Sequence, residues 1–70
     1  MMTEIVFIVE EAPEGGFIAE AVGQSIFTEA DTWEELQRAV QEAVRCHFDR
    51  EEDLPKIARL HYVRDEVLAL

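Results

Sequence analysis

The chain has 70 residues, which is enough for one small domain with a thin core, and we predict that this domain spans residues 1–70. Its single cysteine, Cys46, cannot form an intramolecular disulfide, and no Cys/His spacing matches a structural zinc site, so apolar packing must stabilise the fold. Sixteen acids against six bases give a net charge of −10, the reverse of the basic surface that nucleic-acid binding requires. No apolar run approaches the about 20 residues of a membrane span. We therefore expect a cytoplasmic protein that contacts neither nucleic acid nor a membrane directly.

Three strands are predicted in the first 30 residues. Residues 4–11 (EIVFIVEE) are apolar on both alternating faces, which is typical of a strand covered on both sides. Proline and glycine in residues 12–16 predict a turn, and a second strand follows over residues 17–22. Gly23-Gln24 suits a two-residue type II′ hairpin turn before a short third strand over residues 25–29. The three strands form an antiparallel meander.

A helix is predicted over about residues 33–48, because apolar residues begin to recur there every three or four positions. The stripe comprises Trp33, Leu36, Val40, Ala43, Val44, His47 and Phe48. Thr32-Trp33-Glu34-Glu35 matches a capping box, in which the Thr32 hydroxyl accepts the Glu35 amide and the Glu35 carboxylate reaches back.

A fourth strand is predicted after the helix. Residues 49–56 form a charged loop, and Pro55 near its end prevents a helix from continuing. Residues 57–63 then alternate as a strand does. The apolar residues 67–70 continue either as more strand or as an arm.

The element order βββαβ predicts an α+β fold with one helix packed on one face of a four-stranded sheet. A right-handed crossover through the helix places the fourth strand beside the first and parallel to it, which gives the strand order 3-2-1-4. One helix covers only one face, so apolar side chains remain on the other. We predict that Val6, Ile8 and Ile18 on that face form the interface of a homodimer or a higher homo-oligomer.

Two stretches resemble the HicB-like antitoxins. Residues 15–19 (GGFIA) match a glycine turn and the aromatic residue that opens the second strand, and residues 28–36 (TEADTWEEL) match a G-D-T-x-E-E-A box at the start of the helix. Ala30 and Leu36 replace the box's glycine and alanine, and the Gly23-Gln24 turn replaces a longer P-D-L-P-G-C type segment. The resemblance covers most of residues 4–64. It implies a partial ribonuclease-H-like domain that grips a toxin, dimerises or tetramerises and has no catalysis. We expect a solitary, minimal member without a DNA-binding C-terminal region.

The resemblance and the acidic charge together predict a non-enzymatic protein-interaction module for a basic partner, such as a small HicA-like toxin. The expected partner-binding residues share the first hairpin, which contains no base: Glu10, Glu11, Glu14 and Glu20. The alternative is a structural or small-ligand-binding homo-oligomer with no toxin partner. The acidic excess is equally explained as a means of keeping a small apolar protein soluble.

No catalytic residue, cofactor or metal site is predicted. Glu4, Glu10 and Glu20 lie on predicted strands. Most other acids lie near turns, where solvation explains them, and similar family members lack the catalytic quartet. Cys46 and His47 point about 100° apart on a helix, so they do not form a nucleophile–base pair. We predict that His47 packs in the core, where His61 could approach it across the helix–sheet interface, although two histidines make an incomplete metal site.

Overall fold

The computed structural model describes residues 3–70 and contains one sheet and one helix. The elements are β1 (Glu4–Glu11), β2 (Phe17–Ala21), β3 (Phe27–Ala30), α1 (Trp33–His47), a short 3-10 turn (Glu51–Asp53) and β4 (Ile57–Val63). The strand order is β3-β2-β1-β4, in which β1 and β2, and β2 and β3, are antiparallel, whereas β1 and β4 are parallel. The predicted α+β layout and strand order are therefore confirmed.

The core lies between α1 and one face of the sheet. Alternation along β1 points Ile5, Phe7 and Val9 towards the helix, and all three are buried. The remaining buried side chains come from β2, the following loop and α1: Ala19, Ala21, Ile26, Leu36, Val40 and Val44. The helix packs mainly against β3 and β2, so it is displaced away from β4.

The start of α1 follows the predicted capping pattern. The Glu35 amide donates to the Thr32 hydroxyl at 3.1 Å, and that hydroxyl donates to the Glu35 carboxylate at 2.9 Å. The carboxylate thus reaches the side chain of Thr32, and both bonds fix the helix start. The helix ends at His47, one residue earlier than predicted, and Phe48 caps it through an N–H bond to the Val44 carbonyl. Within residues 3–70, no helix is long and apolar enough to cross a membrane.

The hairpin between β2 and β3 has the predicted register but shorter strands. Glu20 lies opposite Phe27, which is the pairing that a tip at Gly23-Gln24 requires. The strands nevertheless end at Ala21 and begin again at Phe27, so the prediction of strands closing directly on a two-residue turn is wrong. The Ala21 N–H still donates to the Ile26 carbonyl at 3.0 Å, whereas the next N–H, that of Val22, points to β1 and donates to the Val6 carbonyl, as alternate residues of a central strand do.

The turn between β1 and β2 depends on two glycines with positive φ. Gly15 has φ +102° and Gly16 has φ +82°, a backbone region that favours glycine. The Ala12 N–H donates to the Gly16 carbonyl at 3.0 Å and closes the turn. A Cβ at Gly16 would lie 2.7 Å from the Ala30 carbonyl oxygen, whereas one at Gly15 would meet nothing within 4 Å.

Residues 64–70, here called the arm, follow β4 without regular structure. Val67 and Leu68 are exposed at 94% and 73%, so the arm lies off the body of the domain. The longest dimension of the structure is 52 Å, against 20 and 18 Å for the other two. Of the two shapes left open for residues 67–70, the structure shows the arm.

Candidate functional site

The sheet face opposite α1, here called the open face, bears side chains from all four strands. The registers place them in rows across β3, β2, β1 and β4. The first row comprises Glu29, Ile18, Glu10 and Val63. The second row comprises Phe27, Glu20, Ile8 and His61. Within these two rows, acidic and apolar side chains therefore alternate both along and across β3, β2 and β1, whereas Val6 extends the apolar part of β1 beyond them.

The three residues predicted for an oligomer interface all lie on the open face. Val6, Ile8 and Ile18 are half-buried within the single chain. Phe27 and Ile57 extend the apolar area at its two edges and are exposed at 60% and 54%. The open face therefore carries more exposed apolar surface than its three central residues provide.

The four predicted partner-binding acids are divided between different parts of the structure. Glu10 and Glu20 point to the open face, where they are exposed. Glu11 lies on the helix side of β1, opposite Phe17, and Glu14 lies in the turn before β2. Glu29 joins Glu10 and Glu20 on the open face.

Sequence reasoning missed Phe27 and Glu29, although a signal for both was present. A hairpin tip at Gly23-Gln24 fixes the register of the following strand, and that register sets Glu29 opposite Ile18. The alternation of β3 then assigns Phe27 and Glu29 to the same face as Ile18.

An ion pair balances charge on the β1–β4 side of the open face. The Arg59 guanidinium donates to both carboxylate oxygens of Glu4, at 2.8 and 3.1 Å. The hydrogen bonds from Arg59 and its positive charge lower the pKa of Glu4 below its ordinary value. Because Glu4 is paired, the unbalanced negative charge of the open face belongs to Glu10, Glu20 and Glu29.

On the opposite side of the sheet, three aromatic rings join β2, α1 and β4. The Trp33 ring lies 5.4 Å from Phe17 and 5.5 Å from Tyr62, between ring centroids. The Tyr62 hydroxyl donates to the Glu11 carboxylate, and the Arg64 guanidinium lies 3.5 Å from the same carboxylate. The Glu11 carboxylate is therefore hydrogen-bonded to Tyr62 and lies beside the positive charge of Arg64, the residue that follows β4.

The Tyr62–Glu11 bond raises the pKa of Tyr62, because ionising the phenol would remove the donor and place two negative charges together. A group whose pKa is raised in the folded state stabilises the fold at pH values below its ordinary pKa, which is about 10 for tyrosine. This stabilisation is lost as the pH rises through the raised pKa. Tyr62 is the chain's only tyrosine, so its ultraviolet absorbance titration can be read directly. We expect a midpoint above about 10 in the wild type and a lower midpoint in Glu11→Gln. An unchanged midpoint in Glu11→Gln would contradict the bond, and Glu14→Gln is the control.

The histidines and the cysteine do not form a site. His47 is exposed at the end of α1 and its Nε2 lies 3.2 Å from the Gln24 side-chain oxygen, so the prediction of a core histidine is wrong. The apolar stripe of α1 is buried only as far as Val44. His61 points to the open face, so the sheet separates it from His47. Cys46 is exposed, and within residues 3–70 no three His, Cys, Asp or Glu side chains are grouped to hold a metal ion.

Comparison with known proteins gives two relatives of similar length. A "UPF0150 protein" from Thermotoga maritima is 46% identical over 67 residues, which cover 96% of this chain and 93% of the relative. A "UPF0150 protein" from Archaeoglobus fulgidus is 46% identical over 54 residues, covering 77% of this chain and 79% of the relative. No protein-family model matches the chain, and no solved structure matches it.

Proposed function

This chain belongs to the UPF0150 family, and we propose that it is a non-enzymatic protein-interaction module whose open face binds a basic protein. The observation that supports this most directly is the alternation of acidic and apolar side chains over β1, β2 and β3. Apolar side chains supply area to bury, and the acids between them favour a positively charged partner over a neutral one.

The electrostatics of the open face favour a different protein over a second copy. Two copies stacked through the centre of this face would bring two sets of the same three acids together: Glu10, Glu20 and Glu29. Like charges opposed across an interface are unfavourable unless bases meet them. A basic partner removes that repulsion, and its encounter with a chain of net charge −10 is accelerated.

We further propose that the module is HicB-like and that its partner is a small basic protein of the HicA toxin kind. Support comes from the matched segments at residues 15–19 and 28–36, which form the β1–β2 turn with the start of β2 and the approach to α1. The βββαβ order is the one that the resemblance implies. The cytoplasm is the proposed setting, where an exposed single thiol such as Cys46 stays reduced.

Two variants that remove equal charge test the open face. The open-face triple variant is Glu10→Gln, Glu20→Gln, Glu29→Gln. The control triple variant is Glu51→Gln, Glu52→Gln, Asp53→Asn, which neutralises the exposed acids of the 3-10 turn. The partner captured from native lysate is purified, and its association rate is measured across a salt series. We expect the open-face variant to associate about tenfold more slowly at low salt, with a flatter salt dependence, and the control to follow the wild type.

Equal slowing in both variants would mean that only total charge matters, and equal rates at low and high salt would mean that the acids act for solubility. Either result would contradict a binding role for the open face. A gene for a small basic protein with a Gly-x-x-x-H strand motif beside this chain's gene would favour the toxin partner.

The alternative is a homo-oligomer that uses the same face and has no toxin partner. The half-buried side chains of Val6, Ile8 and Ile18 favour it, because one helix leaves them uncovered. An Ile18→Asp substitution distinguishes the two: a protein that loses self-association supports the homo-oligomer, and one that loses only the basic partner supports the module.

A further inference from the structure

A groove of about 810 Å³ runs between α1 and β4, on the helix side of the sheet. It exists because α1 packs mainly over β3 and β2, so Ala58 and Leu60, which precede the Trp33–Tyr62 contact along β4, are only partly covered. Ala58 is exposed and Leu60 is half-buried, whereas Ile5 and Phe7, their partners in β1, are buried. Apolar side chains line the groove: Trp33, Val40, Val44, Leu54, Ala58 and Leu60.

The rim of the groove is basic, although the chain as a whole is strongly acidic. Arg38, Arg45 and Lys56 line it, which is half of the chain's six bases, together with one acid, Glu34. No ion pair found within residues 3–70 involves any of these three bases. The groove therefore fits an apolar segment that carries negative charge.

The arm has that composition. Asp65 and Glu66 directly precede Val67, Leu68, Ala69 and Leu70. Four extended residues span roughly 13 Å, and the seven residues of β4 beside the groove span roughly 23 Å, so the apolar part of the arm fits along it.

We propose that the arm of one copy binds the groove between α1 and β4 of a second copy, and that the second arm binds reciprocally. Val67 and Leu68 enter the apolar floor, while Asp65 and Glu66 meet the basic rim. The exchange is symmetric, so each dimer contains two identical contacts and every apolar arm is covered. This contact uses the opposite side of the sheet from the open face, so the two can exist together.

The structure favours exchange between copies over binding within one copy. To enter its own groove, the chain would have to reverse direction between Val63 and Val67. That segment contains neither Gly nor Pro, and Arg64 is held 3.5 Å from Glu11 at the end of β1. The arm consequently leaves the domain and extends away from its own groove.

Sedimentation equilibrium of the full chain at micromolar concentrations tests the proposal. We expect a wild-type dimer and a dissociation constant raised by on the order of tenfold or more in Leu68→Asp, because each dimer buries this leucine twice. Leu68 is exposed in the single chain, so its substitution should leave the monomer folded, as circular dichroism can verify. The matched control is Ile18→Asp on the open face, which should leave this dimer intact.

Charge reversal gives a second, independent measurement. Arg45→Glu with Lys56→Glu should weaken the dimer, and adding Asp65→Lys with Glu66→Lys should restore it, since attraction between rim and arm is re-formed with opposite signs. A wild-type monomer throughout the micromolar range would overturn the proposal. So would a dimer that survives Leu68→Asp but dissociates in Ile18→Asp, because self-association would then belong to the open face. If Asp65→Lys with Glu66→Lys does not restore the dimer of the variant that carries Arg45→Glu and Lys56→Glu, the proposed pairing is overturned.

Discussion

Leu36→Ala is expected to lower the free energy of unfolding by about 2–4 kcal/mol, and Val40→Ala by a similar amount. Both side chains of α1 are buried, against a core supplied mainly by β1 and β2. The lost contacts and the cavity left behind both contribute to the cost. A stability of about 5 kcal/mol is reasonable for so small a domain, so either substitution should bring it close to unfolding at ambient temperature.

Urea unfolding followed by the fluorescence of Trp33, the only tryptophan, measures this effect. Glu42→Ala on the exposed side of the same helix is the control, and its stability should change by less than about 0.5 kcal/mol. Wild-type-like unfolding midpoints in both core variants would show that α1 does not supply the core described here.

Gly16→Ala is the second large expected effect, with a loss of about 2–4 kcal/mol. Its positive φ is unfavourable for alanine, and the new Cβ would lie 2.7 Å from the Ala30 carbonyl oxygen. That oxygen belongs to the backbone of β3, so it cannot move without shifting the strand.

Gly15→Ala provides the matched comparison. Gly15 also has positive φ, but a Cβ there meets nothing within 4 Å, so only the backbone strain of about 1–2 kcal/mol applies. In thermal unfolding, Gly16→Ala should therefore have a lower melting temperature than Gly15→Ala. Equal melting temperatures would mean that close approach to Ala30 does not constrain the turn.

The strand order could be predicted because each step depended on a local pattern or on a general rule of chirality. The five apolar residues from Ile5 to Val9 indicated a central strand, and the capping box at Thr32 marked the start of the helix. Right-handed crossover then left β4 only one place beside β1. The structure gives β1 and β4 the same bounds as the sequence did.

Features that depend on where an element stops or how it is placed were not predictable in this way. His47 continues the 3.6-residue period of α1, but periodicity does not show that the burial of the stripe ends at Val44. The displacement of α1 towards β3 is likewise a tertiary effect, which no local pattern of the chain encodes. The groove beside β4 could not be foreseen for the same reason.

The candidate site was only partly accessible from the sequence. Alternation within β1 and β2 correctly grouped Val6, Ile8 and Ile18 on the open face. Grouping the acids by hairpin was less informative, because neighbours such as Glu10 and Glu11 point to opposite sides of a strand. Register across the sheet, and not proximity in sequence, decides which acids share a surface.

The parallel pairing of β1 with β4 has a consequence for the newly made chain. Glu4 lies opposite Ile57, so one edge of β1 stays without its partner until almost all of the domain has been synthesised. At roughly 5–20 residues per second, this wait lasts roughly 3–10 s. An unpaired apolar strand edge is prone to pair with other chains during such a delay. Glu4 on one side and Glu10 with Glu11 on the other flank the apolar run, and charged residues in these flanking positions disfavour such pairing in the nascent chain.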